Sequence, residues 1–205
     1  MSDLDFAALL VSRVCHDLVS PVGAVVNGLE VLEDERDATM RADALKLVTS
    51  SAEMAAARLQ FARIAFGAAG SAGAELDLSE VGRIVCGLLK GSKVEMNWDA
   101  ASDNWPKDWA KLLMNAALLG ADCLPRGGRV HVKTGTDPAA PHFHIEATGV
   151  GARMMDEMEK ALHGEPQGQL DGRSIQPYLT YKLARLLNAG LTLTIREGAV
   201  AFEAG

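Results

Sequence analysis

The chain has 205 residues, 48% of them apolar and 23% charged, with a formal net charge of −7. That composition allows a sizeable core in one or two domains and excludes disorder for the bulk of the chain. The acidic balance speaks against a nucleic-acid binder, which would show a basic stripe, and against binding to anionic lipid. Residues 3–33 read as a first helix, with apolar residues at three-four spacing: Ala7, Val11, Val14, Leu18, Val22, Val25, Leu29 and Leu32. Such spacing predicts one buried face. Pro21 falls inside this period and predicts a kink rather than an end, because Val22, Val25 and Leu29 continue it. Gly23 and Gly28 weaken the segment as an isolated helix, so it needs packing.

The polar run from Asp34 to Thr39 is a short link. A second helix follows over about residues 39–67, with the stripe Leu45, Val48, Ala52, Ala55, Leu59, Ala62 and Phe66. Two helices joined by a short loop form an antiparallel hairpin. One hairpin hides two stripes poorly and two hairpins close a four-helix bundle, so a homodimer through this region is expected. The small-residue stretch from Gly67 to Ala74 reads as a linker. It divides a helical domain, residues 1–68, from a second domain, residues 75–205.

The second part mixes helices with strands. A helix over about 79–90, capped by Asp77 or Ser79, precedes an alternating strand from Val94 to Trp98. Pro106 opens a helix that runs to about Cys123, and Pro125-Arg126-Gly127-Gly128 is a turn. Strands are expected at 129–134 and 143–147, helices at about 153–163 and 175–188 around a Gly/Gln-rich loop, and a closing hairpin about Glu197-Gly198. The fold class is α+β, with helices on one face of a sheet.

Cys15, Cys86 and Cys123 form no CxxC pair and read as buried or half-buried thiols of a reducing compartment. No apolar run is expected to reach the ~20 residues of a bilayer span. The acidic start, Met1-Ser2-Asp3-Leu4-Asp5, is unlike a signal peptide. A soluble, cytoplasmic protein without a membrane partner is the expectation. His142 and His144 share a strand face without a third metal ligand, so no metal site is expected. Trp98, Trp105, Trp109 and the methionines 154, 155 and 158 are assigned to packing.

The chemistry concentrates at His16 and Asp17. His16 lies two residues from both Val14 and Leu18, and at about 100° per residue it projects away from the apolar stripe. A neutral imidazole nitrogen is a good nucleophile near pH 7 and forms a labile phosphoramidate. Asp17 beside it can fix the ring tautomer or stabilise the imidazolium, given a suitable rotamer. Ser12 and Ser20, at i−4 and i+4, leave room for a docking partner. From position alone the residue reads as a solvated helix histidine.

His16-Asp17-Leu18-x-x-Pro21 resembles the H-box of the dimerisation and histidine phosphotransfer domain of sensor histidine kinases. That resemblance implies His16 as phosphoacceptor, Asp17 as its acidic assistant and Pro21 as a kink. The second part then resembles the ATP-binding domain of those kinases in a degenerate form, an α/β sandwich. Asn115, in Leu112-Leu113-Met114-Asn115, stands at the position of the Mg²⁺-binding asparagine, and is assigned a structural role. The adenine-binding aspartate is replaced in Ala147-Thr148-Gly149-Val150-Gly151, whose glycines are read as turn residues. The phosphate loop is replaced by Ser174-Ile175-Gln176-Pro177, which cannot present consecutive backbone N–H groups to a phosphate.

A kinase body without its phosphate donor resembles the ChpT-type histidine phosphotransferases. The resemblance implies a dimeric relay without ATP or any other cofactor of its own. It would take a phosphoryl group from the receiver aspartate of a CckA-like hybrid kinase and pass it to CtrA- and CpdR-like response regulators, the receiver supplying Mg²⁺. Contacts to the receiver are expected from Leu9, Ser12, Arg13, Val19, Ser20 and Gly23, with Arg58 or Gln60 of the second helix nearby. The competing readings are an active histidine kinase with an atypical ATP site and a non-enzymatic dimeric scaffold.

Overall fold

A computed structural model describes residues 1–67, 73–100, 104–166 and 170–205. Residues 68–72 of the expected linker, and with them the expected domain boundary, lie outside the described residues, as do residues 167–169 of the Gly/Gln-rich loop. The first helix, α1, spans Asp3–Asp34 without a break at Pro21. It opens on a capping box: Asp5 N–H donates to Ser2 Oγ and Ser2 N–H donates to Asp5 Oδ2. The second helix, α2, spans Ala38–Ala65 and is capped by Asp37, whose Oδ1 accepts from Thr39 and Met40 N–H, both at 2.9 Å.

The helices pair at close range where Gly28 faces α2. A Cβ on Gly28 would stand 2.6 Å from Val48 Cγ2, so only glycine fits. Within one chain the apolar stripe of α1 is only partly covered, as expected of a single hairpin. Among α1 residues only Pro21 and Gly28 are buried, while Val14, Leu18 and Val25 are half-covered. Val11, Val22 and Leu29 remain 62%, 49% and 48% exposed. Leu45, Ala52 and Leu59 of α2 are exposed likewise. One edge of each apolar stripe meets the neighbouring helix and the other edge is open. The 32-residue α1 is also long and apolar enough to cross a bilayer by length and composition, contrary to the expectation that no run is. Its middle nevertheless carries Arg13, His16 and Asp17.

The second part begins with β1 (Glu75–Asp77) and α3 (Leu78–Leu88), capped by Asp77. Then come β2 (Val94–Asp99), β3 (Asn104–Pro106) and α4 (Lys107–Asp122). The chain continues through β4 (Gly128–Thr134), β5 (Phe143–Thr148) and α5 (Asp156–Leu162). It ends with α6 (Ile175–Leu187), β6 (Thr192–Arg196) and β7 (Ala199–Ala204). The main sheet has the order β2-β4-β5-β7-β6, with β2 parallel to β4 and the other pairs antiparallel. The short β1 and β3 pair as a separate antiparallel ribbon.

Period-two alternation sets the layers. Val130, Val132, Ile145, Ala147, Val200 and Phe202 are fully buried on the sheet face beneath α4, which also packs against α6. The opposite face carries Arg129, Lys133, Glu146 and Glu203. The fold is therefore α+β, a helical hairpin followed by a sheet layered with helices. The helix expected over 153–163 is shorter, because Arg153 N–H is tied to Cys123 carbonyl at 2.9 Å before α5 begins. Both helices of the hairpin reach the second part, α1 by its N-terminal and α2 by its C-terminal turns. Phe61, Ile64 and Ala65 join its core, and Phe6, Leu9 and Leu10 pack on Leu170, Ile175 and Tyr178. Cys15 is exposed on α1, unlike the buried or half-buried thiol expected.

Candidate functional site

The site lies on the middle of α1. The side chain of His16 is 88% exposed. Ser12, Val19 and Ser20 are exposed beside it. Gly23 is half-buried, yet a Cβ there would meet open space. Leu9, two turns before His16 on the same helix face, is half-buried against the loop before α6 and lines a groove with Pro166, Leu170 and Tyr178.

Arg13 departs from this exposed set. Its guanidinium is turned inward, with Nε donating to Asp17 Oδ2 at 2.9 Å and Nη1 donating to Gly172 carbonyl at 2.8 Å. The other carboxylate oxygen of Asp17, Oδ1, stands 3.5 Å from His16 Nδ1. That is an electrostatic contact, longer than a good hydrogen bond. Arg58 of α2 donates from Nη1 to the backbone carbonyl of Asp17.

Behind these residues is a cavity of about 250 Å³ between the hairpin and the second part. Arg13, Asp17, Arg58, Asp122 and Gln176 line it together with apolar side chains such as Phe61 and Leu118. Asp122 is open to the cavity but has protein packed around it. That crowding pushes its carboxyl up to about 6, with Arg13 opposing the shift and the Asp17 charge adding to it. A carboxyl raised above 3.8 holds its proton more tightly in the folded chain than in the unfolded one. Between about pH 4 and about pH 6 folding is thus linked to proton uptake, and the stability owed to this group falls as pH rises. Asp122→Asn is expected to flatten that slope and to raise the urea midpoint at neutral pH, measured by denaturation at about pH 4.5 and about pH 7.

The positions that the kinase resemblance points to have the following surroundings. Asn115 is fully buried and its Nδ2 donates to the carbonyls of Lys111 at 2.9 Å and Ala65 at 3.4 Å, so it ties α4 to the end of α2. Ala147 is fully buried on β5 beneath Gly120. Gly149 carbonyl accepts from Ala152 N–H at 3.1 Å and Gly151 has φ +73°, so both lie in one turn. Before α6, Asp171 Oδ1 accepts from Arg173 and Ser174 N–H at 2.9 and 2.8 Å, and Ile175 and Gln176 are fully buried. Elsewhere, His144 pairs across strands with Glu203 at 2.8 Å, and no cluster of three or more metal-ligating side chains occurs among the described residues. Trp105 is fully buried against Trp109, and Met154 and Met158 are buried while Met155 is exposed.

The chain thus joins a helical hairpin that bears an outward histidine to a sheet layered with helices. The histidine phosphotransferase C-terminal domain model matches residues 78–199. The chain is 42% identical over 200 residues to the protein phosphotransferase ChpT of Brucella abortus (strain 2308), covering 97% of this chain and 93% of that one. A solved structure of a bacterial phosphotransferase superposes with a TM-score of 0.90 at 37% identity, covering 100% of this chain and 98% of that one. The chain belongs to the ChpT-type histidine phosphotransferase family.

Proposed function

We propose that this chain relays a phosphoryl group through His16 between aspartates of receiver domains. It would accept from a CckA-like hybrid kinase and deliver to CtrA- and CpdR-like response regulators. The observation that carries the reading is the imidazole itself, 88% exposed on a rigid helix among small neighbours. With the Nδ1 proton turned towards Asp17, the Nε2 lone pair attacks phosphorus in line. The bond from phosphorus to the aspartyl oxygen breaks, and the receiver carboxylate leaves with its electron pair. The imidazolium that forms carries its positive charge beside Asp17, which stabilises it. The receiver supplies Mg²⁺, and the chain supplies a placed nucleophile and a docking surface. The reverse sequence delivers the group to the next receiver.

Ser12, Val19, Ser20 and Gly23 border the ring and form the docking surface, with Leu9 at its lower edge. ATP plays no part in this cycle, and neither does any other resident cofactor. The support is the buried Ala147, the inward-facing Asn115 and the knotted turn at Asp171. The working unit is a homodimer of hairpins in the cytoplasm, supported by the uncovered apolar edges of α1 and α2. The test is a transfer assay with a radiolabelled receiver phosphoaspartate and purified chain, without nucleotide. Label is expected to move to the chain within the mixing series. Label that stays on the receiver, or that enters the chain from ATP alone, would sink the proposal.

A further inference from the structure

We propose that Arg13 and Arg58 clamp Asp17 from two sides, so that the C-terminal half of the chain sets the orientation of His16 through Arg13. This rests on the relay reading above. The clamp starts from Pro21. Proline has no N–H, so the helical donor that would meet the carbonyl four residues earlier is missing. That carbonyl belongs to Asp17. Arg58, reaching across from α2, donates to it instead. The proline thus opens a place in α1 where a second helix can hold the backbone of the residue next to the nucleophile.

The side chain of the same residue is held from the other direction. Arg13 Nε engages Asp17 Oδ2 and leaves Oδ1 facing His16 Nδ1. Its Nη1 engages Gly172 carbonyl, in the turn that Asp171 closes ahead of α6. One planar guanidinium with donors in a fixed fork can span both acceptors, and a lysine ammonium cannot reproduce that geometry. The order Arg before Asp at i, i+4 is the weaker orientation for helix stability. The pair therefore gains its value from the bridge to Gly172 and from the carboxylate rotamer it selects. Arg13 and Arg58 are positioning residues: they touch Asp17, not the reacting phosphorus.

Arg13→Ala, Arg13→Lys and Pro21→Ala in the full chain test this by single-turnover transfer at varied receiver concentration. Arg13→Ala is expected to lower the saturating rate about tenfold while the half-saturating receiver concentration stays within about twofold. Arg13→Lys, which keeps the charge and safeguards the fold, should fall between. Pro21→Ala restores a helix N–H to Asp17 carbonyl in competition with Arg58, so the rate should drop while α1 gains a hydrogen bond. A purely structural role would not separate rate from stability in this way. Nitrogen-15 spectra of the His16 ring should show a changed tautomer ratio in all three variants. Wild-type saturating rates in the three variants, or a loss confined to half-saturation, would overturn the clamp and make Arg13 a docking residue. Failure of the unaltered chain to accept label would instead remove the relay reading.

Discussion

Replacing His16 by alanine is expected to abolish transfer from a phosphorylated receiver while leaving the fold intact. On the proposed relay the substitution deletes the attacking nitrogen and leaves groups that only orient or stabilise, so no residual route remains. The contrast with the about tenfold effect expected for a positioning residue is itself diagnostic. Stability should hardly move. The His16 side chain is 88% exposed, and its polar contact among the described residues is Asp17 at 3.5 Å. Alanine has the higher helix propensity, so a change within about 0.5 kcal/mol is expected, in the stabilising direction if any. Radiolabel transfer and a urea titration followed by circular dichroism read the two quantities side by side. Undiminished transfer by a folded variant would place the phosphoacceptor elsewhere.

Local pattern carried most of the helical hairpin. The unbroken three-four period through Pro21 and the polar link are signals within one or two turns, and α1 and α2 have the expected bounds to within two residues. The sheet was legible strand by strand but not as a sheet. Alternation locates β4, β5 and β7, yet it says nothing about β2 lying parallel beside β4 or β7 lying between β5 and β6. Those pairings join distant residues and depend on closure around α4. β1 and β3 escaped altogether, since three residues are too few to show a period.

At the site, adjacency in the chain was readable and adjacency in space was not. His16 next to Asp17, with serines one turn away on either side, describes an accessible ring on one helix face. Arg13 reads as another member of that face until Gly172, 159 positions later, is seen to hold its guanidinium inward. Two hints were present. Arg13 stands four residues before Asp17, and Pro21 stands four residues after it and deprives its carbonyl of a helical donor. Neither identifies Arg58 as the replacement, because that depends on how α2 packs. Asp122 and Gln176 carry no local signal either. They come together as walls of a cavity assembled from α1, α2, α3, α4 and α6.

The largest expected effect on assembly comes from charging the open edge of α1. Val22 and Leu29 lie seven residues apart, two turns along the same stripe, and are 49% and 48% exposed. Val11 lies on that line, and Leu45 and Leu59 of α2 are 57% and 55% exposed. A twofold axis would bring equivalent edges of two hairpins together, since a symmetric contact pairs a patch with itself. Val22→Glu/Leu29→Glu would then place four carboxylates in one apolar seam. Desolvating them against one another should weaken association at least about 10³-fold, or about 4 kcal/mol. The unaltered chain is expected to sediment at twice its 21.7 kDa mass and the double variant at that mass. The thermal midpoint should also lose its dependence on protein concentration. The monomer should stay folded, because both side chains already face solvent within one chain. His16 stands six residues before Val22, roughly 120° around the helix, and so remains outside such a seam. A chain that sediments as a monomer before substitution, or a doubly charged variant that still pairs, would remove the four-helix bundle from the account and leave the exposed stripe to another partner.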